Sequence, residues 1–187
     1  GFNAEGGTNN FRCSTAGTES DLHKALWLDR GAFREQDGFF LRAESFFNVA
    51  TEIERLSEDN GPPLFRAYGG TSLHRMSHGE AFLALVEHRF GDNGLFILDE
   101  PEAALSPQRQ LAMLAFIDLI VQRRGGQMVI ATHSPILLSY PDASILSFDD
   151  GRVRRIEWAE TEHVKLTRDF LAAPERFFRT LFRHDDE

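Results

Sequence analysis

An α/β domain built on a mostly parallel sheet is predicted by three observations. Two continuous apolar runs, Leu95-Phe-Ile-Leu98 and Met128-Val-Ile-Ala131, each lead into polar residues. A helix marked at both ends lies between them. Runs without alternation suit strands buried on both faces of a parallel sheet. Strand, helix, strand in that order is a crossover unit, and it implies helices flanking the sheet.

The elements follow in order. Gly1 to Ser14 is rich in Gly and Asn, lacks periodicity, and opens without methionine, as expected of a fragment. Gly38 to Ala43 reads as a short strand, with a helix from about Phe46 to Leu56 behind it. Gly61-Pro62-Pro63 and Gly69-Gly70 punctuate a loop. A helix from about Ser77 to Phe90 is stopped by Gly91-Asp-Asn-Gly94. Ser106 and Pro107 suit the N-cap and first residue of a helix that Arg123, Arg124 and Gly125 end. Ile145 to Phe148, the turn Asp149-Asp150-Gly151, and Arg152 to Ile156 read as a hairpin. The end is helical from about Glu162, with an interruption near Pro174.

Composition bounds the function classes. The chain has 187 residues, 42% hydrophobic and 26% charged, in the range of a globular domain with a core of its own. Its net charge of -9 and pI near 5.3 give no overall attraction to nucleic acid. No apolar run is long enough to cross a bilayer, and the chain does not open with a secretory signal, so a cytoplasmic protein is expected. The single cysteine, Cys13, has no partner for a disulfide or CxxC site. Seventeen phenylalanines against two tyrosines read as core packing.

Three motifs carry chemistry. In Gly94-Leu-Phe-Ile-Leu-Asp99-Glu100-Pro101, two carboxylates emerge at the C-terminal end of a strand, where open α/β sheets bind ligands. Such an Asp can hold Mg²⁺, usually through water, and the adjacent Glu can orient an attacking water. An ordinary buried strand ending in a charged turn fits that motif equally well when it stands alone. In Met76-Ser77-His78-Gly79-Glu80, Ser77 and Glu80 form a capping box. Free N–H groups at that helix start, a hydroxyl and a glycine also suit a γ-phosphate. In Ala131-Thr132-His133-Ser134-Pro135, His133 follows a strand and can contact a γ-phosphate or the attacking water. Two crossovers would bring Asp99, Glu100 and His133 to one edge of the sheet.

In this order the motifs resemble the signature motif, Walker B acids and switch histidine of ABC-type ATPases. Ser77-His-Gly-Glu80, Leu98-Asp-Glu-Pro-Glu-Ala-Ala-Leu-Ser-Pro107 and Ala131-Thr-His-Ser-Pro-Ile-Leu137 resemble more closely a bacterial family of stand-alone AAA/ABC-type predicted ATPases. That family is kin to the recombination-repair and overcoming-lysogenisation-defect ATPases, and the resemblance spans Gly1 to about Phe182. It implies a P-loop NTPase fold over residues 1–187, with the signature helix at about 77–90, the Walker B strand at about 94–100 and the switch-histidine strand at about 127–133. It also implies that Asp99 organises Mg²⁺ through water, that Glu100 is the catalytic carboxylate, and that His133 is the switch histidine. Ser77 and Gly79 would meet the γ-phosphate of ATP held mainly by the opposite subunit of a head-to-tail homodimer. Ser106 falls where many relatives carry a D-loop aspartate, and Glu44 where the Q-loop glutamine would be.

One part is missing. The phosphate-binding pattern GxxxxGK[ST] does not occur, and the only lysines, Lys24 and Lys165, do not follow glycine. In the resembled family the strand, phosphate loop and first helix precede the segment matching Gly1. The chain is therefore expected to be the C-terminal part of an ATPase domain, inactive alone, with apolar surface and strand edges left uncovered. Two other readings are a non-catalytic regulatory or scaffolding module, and an ATP-dependent DNA-repair or defence component. The chain shows no basic-aromatic stripe for the latter, and Asp149-Asp150 before Gly151 reads as a turn in preference to a nuclease cluster.

Overall fold

In the computed structural model the described residues are 6–8, 24, 25, 27, 29, 35–60 and 72–182, with the side chains of 57–60 and 150 excepted. They fall into two compact units, Gly1–Thr132 and His133–Glu187. Cys13 and the Gly61–Gly70 loop lie outside the described residues.

The first unit carries a three-stranded sheet: β1 (Asp37–Arg42), β2 (Gly94–Asp99) and β3 (Gln127–Ala131). Their spatial order is β1-β2-β3, and both pairings are parallel. The register sets Phe39 opposite Phe96 and Met128, and Leu41 opposite Leu98 and Ile130. Between the strands run helices α1 (Phe46–Asn60), α2 (His78–Arg89) and α3 (Pro107–Asp118), the last continued by a π-turn at Leu119–Arg123. The first unit is thus a mixed α/β structure with a small parallel sheet, as the apolar runs predict.

Strands laid side by side in chain order, joined by right-handed crossovers, place every crossover helix on the same face of the sheet. Burial follows that rule. Phe39, Leu41, Phe96 and Leu98 are fully buried together with Phe46, Val49, Phe82, Leu85, Val86 and Met113 of the helices. Phe90 stacks on Phe96 with centroids 4.3 Å apart, and Phe39 lies 5.8 Å from Phe90. The opposite face differs from expectation. Phe40, Leu95 and Ile97 are only half-buried, and Val129 on β3 is 52% exposed. The run Leu95–Leu98 is therefore covered fully on one face only. β3 pairs with no further strand among the described residues.

Local signals set the boundaries. Ser106 accepts a hydrogen bond from the Arg109 N–H at 3.4 Å, and Pro107 is the first residue of α3. Beyond the π-turn, Gly125 at φ 63 makes the left-handed cap that lets the chain turn into β3. α2 opens with the capping box of Ser77 and Glu80: Glu80 accepts from the Ser77 N–H at 3.0 Å, and the Ser77 hydroxyl donates to that same carboxylate at 2.6 Å.

The second unit holds an antiparallel hairpin, β4 (Ile145–Ser147) and β5 (Arg154–Ile156), joined through a 3₁₀ turn at Asp149–Gly151. Helices α4 (Glu162–Ala172) and α5 (Pro174–Leu181) follow, divided at the proline. Not every phenylalanine is core: Phe148, Phe178 and Phe182 are 72%, 42% and 65% exposed. Among the described phenylalanines, Phe39, Phe46, Phe82, Phe90 and Phe96 are buried in the first unit.

One ion pair clamps the start of β1 to the end of α2: Arg89 Nη1 lies 2.6 Å from Asp37 Oδ2. Partial burial alone would raise the Asp37 pKa, but Arg89 overrides it with a hydrogen bond and its charge, and the Gly38 and Gly91 N–H groups add to the lowering. A carboxyl lowered in the fold contributes stability that is complete above its unfolded pKa and lost as pH falls through the folded value. Asp37→Asn is expected to cost about 1–2 kcal/mol at neutral pH in urea unfolding. That difference should shrink on acidification below about pH 4; an equal penalty at acid pH would refute the ion-pair origin.

Candidate functional site

The parallel register delivers the C-terminal ends of the three strands to one edge. Asp99 ends β2, between Arg42 of β1 and Ala131 of β3. Beyond the ladder, the Ala43 N–H donates to the Asp99 carbonyl at 3.1 Å and the Glu100 N–H to the Ala131 carbonyl at 2.9 Å. The backbone of the acid pair is held from both sides. Arg42, Ala43, Glu44, Asp99 and Glu100 line a cleft of about 230 Å³ at this edge.

Three carboxylates and one guanidinium face the cleft, a set that suits a hard cation better than a bare phosphate. Arg42 Nε sits 2.9 Å from Asp99 Oδ2. That nitrogen is buried yet has no hydrogen-bond partner among the described residues, so the contact is a charge pair and not an aligned hydrogen bond. Glu44 is exposed and lies 3.8 Å from the Arg42 guanidinium. Among the described residues no group of three or more His, Cys, Asp or Glu side chains converges as a metal cage. Asp99 alone offers a single carboxylate, enough to hold a hydrated ion only when other ligands complete the shell.

Glu100 has φ 49 and ψ 50, the left-handed region, in a non-glycine residue that precedes proline. Such a backbone costs of order 1–3 kcal/mol and persists only where its surroundings impose it. Here Pro101 is buried, a 3₁₀ turn at Pro101–Ala104 follows, and the Ala103 N–H donates to the Glu100 carbonyl at 3.0 Å. Glu102 accepts from the Thr132 hydroxyl at 2.6 Å, tying the turn to the residue after β3. The result is an exposed carboxylate on a rigid, strained turn.

Ser77 and Gly79 stand at the start of α2. The Glu80 pKa is lowered by the Ser77 hydroxyl first, then by the Ser77 N–H, with Arg109 adding its charge. Arg109 Nη2 lies 3.0 Å from Glu80 Oε1. The Arg109 side chain also crosses Gly79, where an added Cβ would meet its Nη1 at 2.8 Å and the Ala104 carbonyl at 2.9 Å. Gly79 is thus required by close approach at a negative φ. His78 lies against the rings of Phe46 and Phe47, at 5.2 and 4.9 Å, and serves packing.

His133 belongs to the second unit. Its Nδ1 lies 3.1 Å from Nε2 of His163, the second residue of α4, with the rings nearly perpendicular at 72°. Structure therefore brings Asp99 and Glu100 together, sets Ser77 and Gly79 in a cluster with Arg109, and gives His133 a histidine neighbour. Arg42, Glu102, Arg109 and His163 escaped sequence reasoning, because each is recognisable only by a partner far along the chain.

No family model matches the chain, and no solved structure matches it. The chain is similar to Protein ea59 of Escherichia phage lambda, 30% identical over 130 residues, which cover 63% of this chain and 25% of the phage protein. The chain thus spans about a quarter of the length of the curated relative it matches.

Proposed function

We propose that this chain is the C-terminal part of a P-loop, ABC-type ATPase domain that binds and hydrolyses Mg-ATP in a head-to-tail homodimer. The observation carrying this reading is the acid pair at the C-terminal end of the central parallel strand, with its second member held in a strained left-handed conformation. Strain retained at an exposed carboxylate calls for a functional reason, since a glycine there would relieve it. The motif resemblance supplies that reason.

In this reading Glu100 orients and polarises the attacking water, and Asp99 holds the hydration shell of Mg²⁺, which when bound neutralises phosphate charge. Arg42, 2.9 Å from Asp99 Oδ2, would hold that carboxylate in place for the ion. Ser77 and Gly79 contact a γ-phosphate bound mainly by the other subunit, and His133 contacts the γ-phosphate of its own site. A cleft carrying three carboxylates repels a polyphosphate, so most phosphate donors must come from a phosphate loop that this sequence does not contain.

Two results are expected. In the full-length protein Glu100→Gln should keep ATP binding and prolong dimerisation while lowering turnover at least ~100-fold; unchanged hydrolysis would end the assignment of Glu100. The purified 187-residue chain should show no ATPase activity above background, and robust turnover by it would refute the need for a separate phosphate loop.

Glu100→Gly separates strain from chemistry. Relief of the left-handed backbone, offset by the freedom glycine has when unfolded, should raise stability by about 0.5–1 kcal/mol. Hydrolysis should be lost in the same variant. A lower melting temperature would show that the turn is not strained.

A further inference from the structure

We propose that His163 is a positioning residue that sets the tautomer of His133, keeping the His133 proton on Nε2 so that this nitrogen serves as a donor to phosphate oxygen. The inference rests on the reading of His133 as a phosphate-contacting histidine.

A neutral imidazole has one N–H and one acceptor nitrogen, and whatever the first nitrogen bonds decides the state of the second. His133 Nδ1 and His163 Nε2 are 3.1 Å apart, within hydrogen-bonding distance. When His163 Nε2–H donates, His133 Nδ1 accepts and the His133 proton must sit on Nε2. The reverse arrangement would turn the His133 Nε2 into an acceptor, which cannot hydrogen-bond to phosphate oxygens that themselves only accept. Only the first arrangement serves an anionic ligand.

Both histidines are exposed residues, so their pairing depends on what anchors the backbone beneath them. Thr161, 4% exposed, caps α4 by accepting from the Val164 N–H at 3.4 Å, and Val164 is equally buried. The Trp158 indole N–H donates to the Pro135 carbonyl at 2.9 Å, which fixes the turn before α4 to the segment just after His133. The Glu157 N–H also donates to Glu160 at 3.2 Å, closing that turn on itself. His163 is carried on a platform attached to the same segment as His133, and that attachment sets the spacing of the two rings.

The test uses the full-length protein with ¹⁵N-labelled histidine rings, at about pH 8 where histidines are ordinarily neutral. Two-bond ¹H–¹⁵N correlations report which ring nitrogen carries the proton, with His133→Gln identifying the signals. The expected result is His133 protonated at Nε2 in the wild type, a mixture of tautomers in His163→Phe, and Nε2 protonation retained in His163→Gln, whose amide N–H can donate from a similar place. Kinetically, His163→Phe should lower kcat on the order of tenfold, the factor set by the net worth of one hydrogen bond, with KM for ATP little changed. His163→Gln should restore most of it. Protonation at Nδ1 in the wild type, or an unchanged tautomer in His163→Phe, would overturn the proposal. Should the Phe variant not fold, Nδ1 protonation in the wild type or in His163→Gln does the same. Hydrolysis at an undiminished rate by His133→Ala would instead defeat the phosphate reading, a failure distinct from a wrong tautomer.

Discussion

The parallel register of β1, β2 and β3 is the constraint on which the rest of the first unit depends. Strand order equal to chain order sends every crossover over the same face, and that face becomes the core. The same register brings three strand ends to one edge and inserts Asp99 between Arg42 and Ala131. A slip of one residue would exchange the faces of every side chain on β2, burying Ile97 where Phe96 and Leu98 now sit. It would also carry the carboxylate of Asp99 away from Arg42. Core packing and site geometry are thus fixed by one set of hydrogen bonds.

What lies just past the ladder shows how rigidity passes from sheet to site. The chain leaves β2 in a left-handed turn that a residue before proline resists. Four restraints converge there: the N–H of Glu100 on β3, its carbonyl on Ala103, burial of Pro101, and Glu102 on Thr132. No single one of these is strong, and an isolated neutral hydrogen bond contributes only about 1 kcal/mol net. Together they match the cost of the turn, which is why a glutamate can remain where glycine would sit more easily.

How much of this was legible in the sequence depended on range. Caps, turns and strands are local events, so Ser106 and Pro107, Gly125, the break at Pro174 and the Asp149–Gly151 turn stand where the sequence places them. Asp99 and Glu100 could be placed at a strand end because four apolar residues precede them. Arg42 could not be assigned to Asp99, nor Arg109 to Glu80, since each pair joins separate elements and charged residues abound on any surface. The capping box is legible from spacing alone, and its acid is used twice: Glu80 accepts from both the N–H and the hydroxyl of Ser77. His163 carries no signal by itself; a histidine in the first turn of a helix acquires meaning only beside His133.

The apolar runs taught a different lesson. A strand with one face in water normally alternates apolar and polar residues, and Leu95–Leu98 does not alternate. Yet the crossover helices, confined to one side, leave Phe40, Leu95 and Ile97 half-buried and Val129 more than half exposed. Crossover handedness forbids those helices from serving the second face, and β3 offers its outer edge to no strand among the described residues. The apolar residues of that face are written into the strands independently of the helices that cover the first. Continuity of apolar residues reports burial demanded; burial observed depends on which neighbours the topology can bring.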